Sequence, residues 1–132
     1  MNDNSYQDLM IRSLTELLEP GETLQYPIYG TLLEKKGKHW FGFFGLTERF
    51  LLITLLQGDS KEIAWSSRVT LDLASVAVKH CLFPGQRMLT LQFREGESCR
   101  IRVSSRVVGI PQQEKNLNGF LASLVKIAVR SC

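Results

Sequence analysis

The densest run of side chains able to do chemistry is Glu34-Lys35-Lys36-Gly37-Lys38-His39-Trp40-Phe41, with three lysines and a histidine inside five positions. Cations that converge on one phosphate cluster hold it more strongly than the same charges dispersed. Near an anionic membrane surface each lysine is worth about 1 kcal/mol, and Trp40 or Phe41 supplies an interfacial anchor. The competing reading is a solvated turn whose lysines guard a strand edge. Lys35, Lys36, Lys38, His39 and Trp40 are therefore the candidate ligand or membrane-surface residues. A second basic set, Arg94, Arg100 and Arg102 with Arg106 just beyond, falls on one face of an alternating stretch. Glu95 and Glu97 lie beside it, so a wet face is the simpler reading.

Enzyme signatures fail one by one. Gly30 and Gly37-Lys38-His39 have the outline of a phosphate loop, but six residues separate the glycines where the motif takes four. His39 also stands where a Ser or Thr would hold magnesium, and a hairpin offers no helix N-terminus to a phosphate. His80 and Cys81 are adjacent on an expected strand and face opposite ways, so they form no dyad. Asp72 and Glu62 read as isolated carboxylates. Cys81, Cys99 and Cys132 are too far apart for a CxxC pair and too few for a disulfide framework. With two histidines besides, no metal site is expected. The chain reads as a non-enzyme with no catalytic residue, cofactor or small-molecule substrate.

The elements that position these groups follow from hydrophobic period. Tyr6, Leu9, Met10, Ser13, Leu14 and Leu17 recur at three- and four-residue steps, which predicts an amphipathic helix over residues 5–18, stopped by Pro20-Gly21. Strand patterns follow over residues 23–33, 39–46, 49–56, 61–65, 69–73 and 76–82, broken at Lys36-Gly37, Thr47-Glu48, Gly58-Asp59 and Pro84-Gly85. A final hairpin sets Leu89, Leu91 and Phe93 against Cys99, Ile101 and Val103. Both apolar sets meet on one face only if the loop is odd, and Glu95-Gly96-Glu97 as loop pairs Phe93 with Cys99 and Gln92 with Arg100. On the strand over 39–46, Trp40, Gly42 and Phe44 face one way and Phe41, Phe43 and Gly45 the other. A strand apolar on both sides is covered by the N-terminal helix, by a second copy or by a partner, so Phe41 and Phe43 are the candidate protein contacts. After Pro111 a second helix carries Leu117, Phe120, Leu121, Leu124, Ile127 and Ala128 as one stripe. Lys126 and Arg130 suit the dipole at its end, and Gly119 costs about 1 kcal/mol against alanine, so packing must hold it.

Composition bounds the rest. A length of 132 residues is that of one domain, and 44% apolar with 22% charged residues excludes a disordered chain. Sixteen Lys and Arg against thirteen Asp and Glu leave +3, too little to point to nucleic acid. The polar, acidic start has no signal-peptide pattern, and the uninterrupted apolar run Phe50-Leu51-Leu52-Ile53 is far short of the roughly 20 residues a membrane span needs. A cytoplasmic setting is expected, with peripheral membrane contact as the variant.

Four stretches carry a family resemblance: Leu18-Glu19-Pro20-Gly21-Glu22, Gly45-Leu46-Thr47-Glu48-Arg49-Phe50-Leu51-Leu52-Ile53, Leu71-Asp72-Leu73-Ala74-Ser75-Val76, and Gln113-Glu114-Lys115-Asn116-Leu117-Asn118-Gly119-Phe120. They resemble the bacterial pleckstrin-homology-like domains over about residues 18–126. The resemblance implies a mainly β fold: a bent seven-stranded antiparallel barrel over about residues 23–108, capped by a C-terminal helix over about 112–130. It divides the chain into an extra N-terminal helix, 1–18, and a pleckstrin-homology-like domain, 19–132. In eukaryotic pleckstrin-homology domains the first hairpin loop binds phosphoinositide headgroups through a lysine on the first strand and a K/R-x-R pattern on the second. Here the second strand opens Lys38-His39-Trp40, without that arginine. The implied function is a binding or assembly module that engages a protein partner or itself through a sheet edge or loop surface. Binding of anionic membrane or phospholipid headgroups through the first hairpin is the alternative.

Overall fold

The computed structural model describes residues 5–58, 60–81 and 83–130; expectations for residues 1–4, Asp59, Leu82, the Arg130 side chain and Cys132 fall outside the described residues. Helix α1 (Ser5–Thr15) is followed by strands β1 (Gln25–Leu33), β2 (His39–Leu46), β3 (Phe50–Leu56), β4 (Ile63–Thr70), β5 (Leu73–His80), β6 (Gln86–Phe93) and β7 (Ser98–Ser104), then helix α2 (Gln113–Arg130). The strands form one antiparallel seven-stranded sheet in the order β4-β3-β2-β1-β7-β6-β5, the mainly β architecture that the alternation implies. Strand directions place the β1–β2, β3–β4 and β6–β7 turns at one end of the barrel.

Two details correct the sequence reading. The patterns over 61–65 and 69–73 are not separate strands. Ser66, Ser67 and Arg68, which look like a break, pair with Thr54, Ile53 and Leu52 in one continuous β4, while β5 begins at Leu73. Ladder hydrogen bonds are made by the backbone, and an edge strand tolerates polar side chains. In the last hairpin, Leu91 faces Cys99 and Thr90 faces Arg100, two residues away from the expected register. The loop is odd, as required, but it is Arg94-Glu95-Gly96, closed by Gly96 N–H to Phe93 O at 3.0 Å and Phe93 N–H to Glu97 O at 2.9 Å. A three-residue loop needs its left-handed residue last, and Gly96 at φ +105° fills that place.

The barrel interior is packed by Ile28, Phe44, Ile53, Leu73, Leu89, Leu91 and Ile101, and α2 closes it with Leu117, Phe120, Leu121 and Leu124. Close coiling of the sheet rests on the facing pair Gly30 and Gly42. A Cβ at Gly42 would stand 2.5 Å from the Thr54 carbonyl oxygen. The start of α2 is tied to two strands by the buried Gln113 side chain. Its Nε2 donates to the Tyr29 and Ser104 carbonyls at 2.8 and 3.0 Å, and its Oε1 accepts from the Tyr29 N–H at 3.0 Å. Gly119 leaves room for the Tyr26 ring, which a Cβ there would displace.

A second apolar cluster lies on the outer face. Leu9, Met10 and Leu14 of α1 cover Phe43, Leu52 and Leu56, so one of the offered covers for the two-faced β2 is the chain's own N-terminal helix. The connection out of α1 is held down by Arg68 of β4. Its Nη1 donates to the Leu17 carbonyl at 2.8 Å, its Nη2 donates to Glu22 Oε2 at 2.9 Å, and Nη1 also meets Glu22 Oε1. That guanidinium, helped by the Glu19 N–H, holds the Glu22 carboxyl down to about 2 from an ordinary 4.5. A carboxyl lowered on folding adds stability that is complete above its unfolded value and lost as acid protonates it. Wild-type stability is therefore expected to fall between pH 4.5 and about 2, and Glu22→Gln to flatten that part of the curve, as measured by urea unfolding across the range.

Candidate functional site

The β1–β2 turn is built like the last one. Glu34 N–H donates to Lys38 O at 2.9 Å, Gly37 N–H donates to Glu34 O at 3.0 Å, and Gly37 takes φ +87°. One of its three lysines lies over an aromatic ring at the start of β2. Lys38 Nζ sits 4.2 Å above the Trp40 ring, and the Trp40 indole N–H donates to Glu34 Oε1 at 2.9 Å. Trp40 is half-buried, with part of its ring packed against the barrel core. Lys35, Lys36 and His39 are exposed.

The two phenylalanines proposed as a single contact separate. Phe43 is fully buried beneath α1, so its protein contact is intramolecular. Phe41 is 41% exposed, with its ring stacked on Tyr29 at 6.3 Å and 12°. Asp72 is not isolated either. Its carboxylate lies 3.4 Å from Arg94 Nε and its carbonyl accepts the Arg94 N–H at 3.0 Å, which takes Arg94 out of the expected basic face. His39 and His80 lie opposite Leu33 and Arg87 in the ladder. Among the described residues no group of three His, Cys, Asp or Glu side chains is placed to hold a metal.

Cys99 lies on the inner side of β7 and lines a groove of about 350 Å³ between the two turns, with Leu32, Leu33, Glu34, Lys35, Glu97 and Ser98. Burial pushes its thiol up from 9.0 to about 11. Since the thiolate is the reactive form, alkylation of Cys99 near neutral pH is expected to be about a hundredfold slower than that of an unperturbed thiol. Mass-spectrometric rates for iodoacetamide, site by site, check this.

A surface that the sequence reading missed lies along β5. β5 is one edge of the sheet and is exposed over most of its length, the other edge being β4 with Ile63 and Trp65 exposed. Beside β5, Ala74, Ser75 and Val76 face Val125, Ala128 and Val129 of α2 across a groove of about 240 Å³. Val125 and Val129 are 47% and 67% exposed. Their signal was present as two valines four residues apart, off the buried stripe of the last helix.

Neither a family model nor a curated protein matches the sequence. Solved structures do match, and at their low identity they speak to the fold. The C-terminal domain of an unknown protein from Leishmania infantum superposes with a TM-score of 0.59 at 10% identity, over 91% of this chain and 98% of that one. The hSac2 domain of the human phosphoinositide phosphatase Sac2 gives 0.60 at 11% identity, over 96% and 83%. Vav1, solved with an allosteric inhibitor, gives 0.56 at 13% identity over 96% of this chain, which spans 34% of the Vav1 chain. The fold is pleckstrin-homology-like. These neighbours lend nothing to the bacterial branch of the resemblance. No described helix is long and apolar enough to cross a membrane.

Proposed function

We propose that this chain is a non-catalytic module, working in a reducing cytoplasm, that binds a protein partner by accepting an extended segment along the free edge of β5. The observation that carries the reading is the pairing of that edge with the apolar groove under α2. An edge strand presents unpaired N–H and C=O groups that a partner strand can complete, and flanking pockets for alternate side chains add selectivity. Val76, Ala128, Val125 and Val129 offer such a pocket. The β4 edge is less open, because Arg68 holds the connection after α1 against it.

The test is selection from a displayed random-peptide library on the wild-type protein and on a Val125→Asp/Val129→Asp variant. Enrichment on the wild type and its loss on an equally folded variant are expected. Retention of the same peptides by the variant would place binding elsewhere, and association of the protein with itself in sedimentation would make a second copy the occupant.

One observation favours a membrane reading as well: Lys35 and Lys36 are exposed at the tip of the first turn. Phosphatidylcholine vesicles containing phosphatidylserine would then retain the protein at low salt, and Lys35→Glu/Lys36→Glu would release it. Glu34, Glu95 and Glu97 share that end of the barrel and oppose the attraction.

A further inference from the structure

Among the described residues no Asp or Glu lies in a strand, whereas the strands hold Arg68, Lys79, Arg87, Arg100, Arg102 and both histidines. The ladder gathers part of that charge on the outer wall. One row across the sheet runs Lys79, Met88, Arg102, Thr31, Phe41, and the next runs Ala77, Thr90, Arg100, Leu33, His39. These positions alternate with Leu89, Ile101 and Leu32, which point into the barrel. Lys79, Arg100 and His39 are exposed and Arg102 is half-buried. Among the described residues, none of the four side chains has an ion-pair or hydrogen-bond partner. A wet sheet face ordinarily interleaves charges of both signs, since opposite-charge cross-strand pairs are favourable. This wall carries only one sign.

We propose that the outer wall of β5, β6, β7, β1 and the start of β2 docks an acidic polypeptide segment, with Arg100 and Arg102 as the carboxylate-binding forks and Lys79 and His39 flanking them. Two residues apart on one strand, Arg100 and Arg102 are spaced about 6.6–6.8 Å, the spacing of alternate side chains on an extended segment. Guanidinium groups grip carboxylates with two parallel hydrogen bonds, a directional contact that point charges lack. Three full positive charges release only about three counterions, against about six to ten contacts for a typical DNA-binding surface. Membrane anchoring needs an apolar signal beside the cations, and Phe41, the one large exposed apolar side chain in the two rows, lies flat on Tyr29. This surface is distinct from the β5–α2 groove, so the two proposals stand or fall separately.

Fluorescence anisotropy with a labelled oligoglutamate peptide tests it, with oligolysine, oligo-dT and phosphatidylserine-containing vesicles as the other arms. The wild type is expected to bind oligoglutamate with an affinity that declines as salt is added. Arg100→Gln/Arg102→Gln, whose side chains lie outside the core, is expected to bind about tenfold more weakly with an unchanged unfolding curve. Val125→Asp/Val129→Asp and Lys35→Glu/Lys36→Glu are expected to bind like the wild type. Absence of oligoglutamate binding at low salt would overturn the proposal. So would binding indifferent to the arginine change, or oligo-dT or vesicles held more tightly than oligoglutamate through the same arginines.

Discussion

Phe43→Asp is expected to abolish folding, while Phe41→Asp, two residues earlier on the same face of β2, is expected to leave a cooperatively folded protein. Phe43 has no solvent exposure and is packed against Leu9, Met10, Leu14, Leu52 and Leu56. Removing a buried Phe side chain costs about 3–5 kcal/mol before any charge is considered. A carboxylate left among leucines adds a desolvation penalty, or shifts its pKa until it is neutral. Against a total stability of about 5–15 kcal/mol for an ordinary domain, the sum leaves little or no folded population. Phe41 keeps much of its surface in water, and its loss removes one stacking contact with Tyr29. Far-ultraviolet circular dichroism with urea titration separates the two outcomes. A folded Phe43→Asp protein with a normal midpoint would mean that α1 does not cover this face.

Phe120→Ala carries the second large effect, a loss of about 3–5 kcal/mol, because the ring is wholly buried where α2 enters the barrel. Val125→Ala, one turn further and on the open side of the same helix, is expected to change stability by about 0.5 kcal/mol or less. Comparing the two by thermal and urea unfolding asks whether the helix stoppers the barrel with one face and leaves the other free. Equal losses would mean that the face beside β5 is packed in solution and has no room for a partner.

The elements were legible where one side of a segment meets the core. Leu89, Leu91 and Phe93, and the stripe from Leu117 to Leu124, repeat with the period of their element, and their faces follow from it. Where hydrogen bonding decides, the pattern was silent. Ser66, Ser67 and Arg68 look like a loop and are held in β4 by backbone pairing with β3. The hairpin register turned on the conformation of Gly96, which hydrophobic alternation does not encode beyond parity. The site was harder to read because surface chemistry depends on which strands become neighbours. Three lysines close in sequence lie in the turn between β1 and β2, while Lys79 and Arg102, far apart in the chain, share a row across β6. Trp40 carries Glu34 on its indole N–H and Lys38 over its ring, contacts that follow from the turn and not from any periodicity. The groove beside β5 draws half its lining from a helix that begins 33 residues after that strand ends, at Gln113 against His80. No local pattern joins the two.

The most direct measurement is amide chemical-shift mapping of the isotope-labelled protein titrated with a peptide recovered from the wild-type library selection. Shifts concentrated on residues 74–79 of β5 and on Val125, Ala128 and Val129, with new protection of β5 amides from exchange, are the predicted result. Shifts confined to the first turn, at Lys35, Lys36 and Lys38, with β5 unmoved, would contradict the account.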